Sequence, residues 1–168
     1  MRCCRQEGFG RISTRAYKKF CEICSVFCSV EFGVGFIPAV AENLDDKPGE
    51  LLMTSLTRSK MCELLAENAG TGNRRSAFVV GLFSTLDAIM DSKLEEVLKT
   101  LPLTNEIVDA LLAHSGPYGE ALSCTLAYEH ADWDRVKYNG LPRETISELY
   151  IQSIEWSEVA IHQLGDRR

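Results

Sequence analysis

Histidine is scarce in this chain, and that scarcity limits the chemistry the sequence can carry. Only His114, His130 and His162 occur in 168 residues, and none stands in an HxxxH, HExxH or His-Asp pattern. Metal hydrolases draw their ligands from such closely spaced sets. Long apolar runs are missing too. A membrane-spanning helix needs roughly 18–20 apolar residues, and the longest candidate, residues 26–40, is interrupted by Glu31, Gly33, Gly35 and Pro38. The basic N-terminus lacks the apolar stretch that a signal peptide carries directly behind its charges. Positive charge is in deficit: 18 Lys and Arg against 24 Asp and Glu give a net charge of −6. That balance argues against nucleic acid and an anionic membrane surface as partners. There is no internal repeat, low-complexity tract or extended period-2 alternation, so β-structure is not expected. Gly70-Thr71-Gly72-Asn73 is no phosphate cradle, because it lacks the preceding strand and the lysine of a nucleotide-binding loop.

What remains is a globular composition, 45% hydrophobic and 25% charged, in the length of one ordinary domain. Seven cysteines is an odd number, and five of them (Cys3, Cys4, Cys21, Cys24 and Cys28) fall in the first 28 residues. Without an export signal, a reducing cytoplasm and no disulfide framework are the expectation. Cys21-x-x-Cys24 could be half of a zinc or redox site, completed by Cys28 or by Cys3 and Cys4. Adjacent cysteines bite a tetrahedral metal poorly, so incidental thiols are the preferred reading. Residues 1–38 read as an atypical Cys-rich leader, unrelated to the rest or disordered, and residues 39–168 as the ordered domain.

Residues 74–91, RRSAFVVGLFSTLDAIMD, form the expected centre. Phe78, Leu82, Leu86 and Ile89 recur at spacings of four, four and three, which stacks them on one helix face. Val79, Phe83 and Met90 widen that stripe, as suits a helix in the middle of a bundle. Gly81 is costly inside a helix, so it marks room for a close helix crossing. Asn73 is the expected N-cap, while Asp87 and Asp91 do nothing for the dipole at the C-terminal end.

Before this helix, Pro48 suits the first turn of an amphipathic helix carrying Leu52, Leu56, Cys62 and Leu65 and running to about Asn68. After it, Ser92 and Glu95 have the spacing of a capping box for a short helix that Pro102 ends. Thr104 is the expected cap of a helix reaching His114. Gly116 stops that helix and Pro117 opens the next, with Tyr118, Leu122, Thr125, Leu126 and Glu129. Asp132 is expected to cap a helical turn or two around Trp133 and Val136, closed by Asn139-Gly140. The last helix begins at Pro142, with Ile146, Leu149, Tyr150, Ile154 and Ile161 as its core stripe. The expected architecture is all-α, a compact array of six or seven helices.

Gly81-Leu82-Phe83-Ser84-Thr85 resembles the place where helical HD-type phosphohydrolases carry their adjacent His and Asp. Aligned so, Ser84 stands at the histidine and Thr85 at the aspartate. The words around it, AFVVGLFSTLDAIM, LEEVL and LPL, resemble the HDOD (HD-related output) domain that follows an EAL cyclic-di-GMP phosphodiesterase domain in bacterial signalling proteins. Arg58, Cys62-Glu63-Leu64-Leu65, Gly116-Pro117-Tyr118-Gly119, Ala127-Tyr128-Glu129 and Asp132-Trp133 carry the likeness over residues 39–164. The resemblance implies an HD-like helical fold lacking part of its N-terminal side. It also implies a signal-transduction role, with a protein partner, the EAL domain of a longer parent or a second copy as what it binds.

In HD enzymes the dyad, with His and Asp from other helices, holds a divalent metal that activates water. Hydroxyls at Ser84 and Thr85 cannot replace an imidazole and a carboxylate, and they are expected to bond back to carbonyls one turn earlier. Asp87, three residues after Ser84, adds one carboxylate, which makes no site alone. His130-Ala131-Asp132 is the nearest ligand pair and is read as solvated. A Cys62 dyad with His114 or His130 is disfavoured, since an apolar helix face suppresses the thiolate. Arg74-Arg75 is read as solvent-facing, and Trp133 and Trp156 as core or junction aromatics. No catalytic, cofactor-binding or metal-binding residue is assigned. A divergent metal-dependent phosphohydrolase or a Cys-based sensor remains the alternative.

Overall fold

A 21-residue helix, α1 (Gly49–Ala69), opens the part of the chain that the computed structural model describes, residues 49–99, 101 and 103–165, the side chains of 163–165 excepted. It is followed by α2 (Arg74–Phe83), α3 (Leu86–Met90), α4 (Leu94–Leu98), α5 (Asn105–Leu112), α6 (Gly116–Glu129) and α7 (Arg143–Gly165). The fold is all-α, as the periodicity predicts. The expectations on residues 1–38, including the zinc or redox reading of their cysteines, lie outside the described residues.

α1 is the hub, packed against α2, α6 and α7. Its expected stripe is buried: Leu52 is 7% exposed, and Leu56, Cys62 and Leu65 are wholly enclosed. Gly81 permits the tightest approach. A Cβ placed there would lie 2.4 Å from Arg58 O and 2.6 Å from Ser59 Cα. Only a residue without a side chain lets the α2 backbone sit on the α1 backbone at that point. Two tyrosines hold the α1–α2 turn in place. Tyr118 Oη accepts from Asn73 N at 2.9 Å, and Tyr138 Oη lies 2.5 Å from Thr71 Oγ1.

Several local expectations are corrected. The central helix is not continuous over residues 74–91, because α2 ends at Phe83 and α3 starts at Leu86. Hydroxyls from the break itself and from α1 occupy the carbonyls that the next turn needs. Ser84 Oγ donates to Gly81 O at 2.7 Å, Ser55 Oγ donates to Leu82 O at 3.1 Å, and Thr85 Oγ1 lies 3.2 Å from the same carbonyl. Asn73 does cap α2, its side chain accepting from Arg75 N at 2.8 Å. The capping box at Ser92 does not form. Lys93 holds the N-cap position without a side-chain bond, and Ser92 Oγ turns back to Met90 O. Thr104 sits at the N-cap of α5 with no side-chain bond either. His114 lies past the end of α5 at φ +51°, not in its last turn. Residues 131–140 form turns rather than helix, with Asn139 and Gly140 both at positive φ.

The core face of α7 also differs. Ile146 and Leu149 are buried as expected, but Ile154 is 36% exposed, and Ser153, Ser157 and Ala160 face the core. Small residues meet small residues there: Thr57 Oγ1 and Ser157 Oγ lie 2.9 Å apart across the α1–α7 contact. A stripe counted in large aliphatics misses a seam built from serines. Among the described residues no helix is long and apolar enough to cross a membrane.

Candidate functional site

The dyad positions lie where three helices meet. Ser84 is the C-cap of α2, Glu129 is the last residue of α6, and Arg58 projects from the middle of α1. Arg58 Nε is 3.0 Å from both Glu129 carboxylate oxygens, and Nη2 donates to Oε2 at 2.7 Å. The remaining arm, Nη1, reaches Ser84 Oγ at 3.4 Å. The two charged side chains are only 17% and 14% exposed. A carboxylate on the last residue of a helix faces the negative end of that helix's dipole, so Glu129 is badly placed without a cation beside it. Arg58 is that cation, and its planar fork suits a carboxylate better than a lysine would.

Thr85 is 4% exposed, with its hydroxyl 3.0 Å from Ser55 Oγ. The expected back-bonding of Ser84 and Thr85 is what the structure shows. Asp87 is not drawn into this centre. It is exposed, and its Oδ1 accepts from Ala88 N at 2.9 Å. The histidines are not gathered here either. His130 is exposed, with Nδ1 2.7 Å from Leu126 O, and His114 Nδ1 lies 3.2 Å from Ser123 Oγ. Asp132 pairs with Arg135 at 3.7 Å rather than with His130.

A divalent metal of the HD type does not fit these residues. The single carboxylate is spent on a guanidinium, the two hydroxyls are uncharged and engaged with carbonyls, and a fixed cation already stands between them. Elsewhere among the described residues, no group of three or more His, Cys, Asp and Glu side chains is placed to hold a metal ion.

Three aromatic rings cluster next to Glu129 in the chain and on α7. Tyr128 and Tyr150 pack at 4.5 Å between centroids, and Trp133 meets Tyr128 edge-on at 5.4 Å. Burial, with the Glu129 charge second, pushes the Tyr150 hydroxyl above the usual phenol range. Trp156 is likewise a junction aromatic, edge-on to Phe78 at 6.0 Å with Lys60 Nζ 5.4 Å above its ring. Arg74 is exposed and pairs with Glu67.

Cys62 is enclosed, which disfavours its thiolate. Thr125 donates its own hydroxyl proton to Ala121 O at 2.9 Å, so the Cys62 thiol donates to Thr125 Oγ1 at 3.6 Å. Burial raises this thiol to about 12, and Cys124 to about 11. Both read as buried hydrophobes, as their helix positions predict. Pairing of Arg58 with Glu129 is the feature the sequence did not disclose. Both residues belong to the words that carry the HDOD likeness, but 71 positions separate them.

No protein-family model matches the chain, and no solved structure matches it. Two curated proteins do. The uncharacterized protein YuxH of Bacillus subtilis is 34% identical over 121 residues, covering 71% of this chain and 29% of that protein. A Vibrio cholerae protein named cyclic di-GMP phosphodiesterase CdgJ is 34% identical over 126 residues, again 71% of this chain and 29% of the relative. The chain therefore spans less than a third of the length of these relatives, and by sequence it is similar to a portion of two larger bacterial proteins, one of them named a cyclic di-GMP phosphodiesterase.

Proposed function

We propose that this chain is a non-catalytic signal-transduction module of the HDOD type, acting in cyclic-di-GMP signalling through protein–protein contact. In this reading it works in the cytoplasm, beside an EAL phosphodiesterase domain of a longer parent or of a partner, and the phosphodiester chemistry belongs to that EAL domain. One observation carries the reading: at the dyad position the hydroxyls of Ser84 and Thr85 are used up inside the fold, and Arg58 with Glu129 fills the space beside them. Oxygen donors without charge bind a transition metal too weakly to make a metal-bound hydroxide at neutral pH. The similarity to a protein named a cyclic di-GMP phosphodiesterase supports the signalling context.

The test is hydrolysis and binding side by side. The expected result is no turnover of cyclic di-GMP or of nucleotide phosphates with added Mn²⁺ or Mg²⁺. Restoring the pair as Ser84→His with Thr85→Asp should create no activity, since no partner histidines gather there. Calorimetric titration against a separately produced EAL phosphodiesterase domain should show association. Metal-dependent turnover that disappears in Asp87→Ala or His130→Ala would instead make the chain a divergent phosphohydrolase.

A further inference from the structure

An HD-type fold implies a metal at the junction of α1, α2 and α6, and the residues present there do not fit one. The junction is nevertheless shaped for positive charge. Two helices end at it, α2 with Ser84 as C-cap and α6 with Glu129 as last residue, so the negative ends of both dipoles converge. A carboxylate is added to those two ends, in a place where the side chains are mostly withdrawn from water. A cation between them is strongly favoured, and an empty centre would leave Glu129 as an uncompensated, largely buried charge.

We propose that the Arg58 guanidinium is the resident cation of this centre and replaces the metal ion in its structural role, closing α1, α2 and α6 around one positive charge. The geometry is that of a ligand cage turned inside out. Here the cation arrives on a side chain from α1, and it donates to Glu129 through Nε and Nη2 and to Ser84 through Nη1. A guanidinium spreads its charge over a plane with donors on several edges, so one group can serve two elements at once. The fold is accordingly closed without metal, and Arg58 acts as a positioning residue rather than a catalytic one. This inference does not depend on the signalling role. A failed partner titration would leave it standing; additive losses would leave the signalling role untouched, whereas stabilisation by Mn²⁺ would also count against the non-catalytic reading, whose own test is turnover.

The decisive experiment is a double-substitution cycle read by thermal melting, on the full chain, in EDTA and in Mn²⁺. Arg58→Gln and Glu129→Gln should each lower Tm by roughly 5–15 °C, because each strands a polar group of a mostly buried pair. The double variant should lose clearly less than the sum of the two. Arg58→Lys, which keeps charge but not the fork, should fall between wild type and Arg58→Gln. Wild type should melt at the same temperature in EDTA and Mn²⁺. Additive losses, an Arg58→Gln variant as stable as wild type, or a wild type raised several degrees by Mn²⁺ would each overturn the proposal. Should the single variants fail to fold, the unaltered chain decides by NMR. A guanidinium held by a carboxylate keeps its Arg58 Nε–H signal at alkaline pH, and loss of that signal to solvent exchange would overturn the proposal equally.

Discussion

Replacing Gly81 by alanine is the most informative single change for the architecture, because two opposing effects meet at one atom. Alanine is the better helix former, by about 1 kcal/mol. Against that, the new Cβ would sit 2.4 Å from Arg58 O and 2.6 Å from both Arg58 C and Ser59 Cα, where ordinary contact begins at 3.4 Å. These are backbone atoms of α1, so no rotamer change relieves the clash. The helices must separate by about 1 Å, and overpacking of this kind costs roughly 1–3 kcal/mol. Separation also strains the bonds that cross the same contact, Ser55 Oγ to Leu82 O at 3.1 Å, Ser55 Oγ to Thr85 Oγ1 at 3.0 Å and Arg58 to Ser84 at 3.4 Å. Each is worth about 1 kcal/mol when broken. The net expectation is a loss of about 2–4 kcal/mol, read as a lower urea midpoint by circular dichroism. Gly49→Ala is the control, since a Cβ there meets nothing within 4 Å. It should leave the midpoint within about 0.5 kcal/mol of wild type. A Gly81→Ala chain that unfolds at the same or a higher urea concentration would refute the close crossing.

Two further outcomes follow from burial. Leu82 is 3% exposed in the last turn of α2, so Leu82→Asp places an unpaired charge in the core. The cost is several kcal/mol against a domain stability of about 5–15, so near-UV dichroism and cooperative melting should be lost; a variant that melts like its parent would move α2 to the surface. The second outcome concerns alkaline pH. Burial raises Cys62 from 9.0 to about 12 and Cys124 to about 11, and it raises Tyr138 and Tyr150 as well. Folding favours the protonated form of all four, so their contribution is complete below the unfolded values and is lost as pH climbs through the folded ones. The urea midpoint should stay level up to about pH 8 and fall beyond it, and Cys62→Ala should flatten that fall. A midpoint level from about pH 8 to 11, or fast alkylation of both thiols in the native chain, would contradict the burial of Cys62 and Cys124.

The sequence by itself determined the helical class, the position of most helices and the core faces of those with a wide aliphatic stripe. Leu52, Leu56, Cys62 and Leu65 could be placed inside because a 3.6-residue period of large apolar groups has one stable arrangement. Gly81 was legible for a similar reason: a residue so unfavourable in a helix interior stays there only where a neighbour is too close for a side chain. The back-bonding of the Ser84 and Thr85 hydroxyls was legible, since short polar side chains inside a helix bond to carbonyls one turn earlier. It was also a missed sign of the break between α2 and α3, which comes from the same hydroxyls competing for helix carbonyls. The absent capping box at Ser92 shows the limit of short motifs, because the spacing was right and the backbone entered the helix one residue later. Tertiary structure alone decided the rest. The α7 seam of Ser153, Ser157 and Ala160 carries little hydrophobic signal and is fixed by how closely α1 can approach. The pairing of Arg58 with Glu129 is a contact between residues on different helices, and no local period encodes it. It exists because three helices, each placed by its own apolar face, bring a guanidinium, a carboxylate and two negative helix ends to one point.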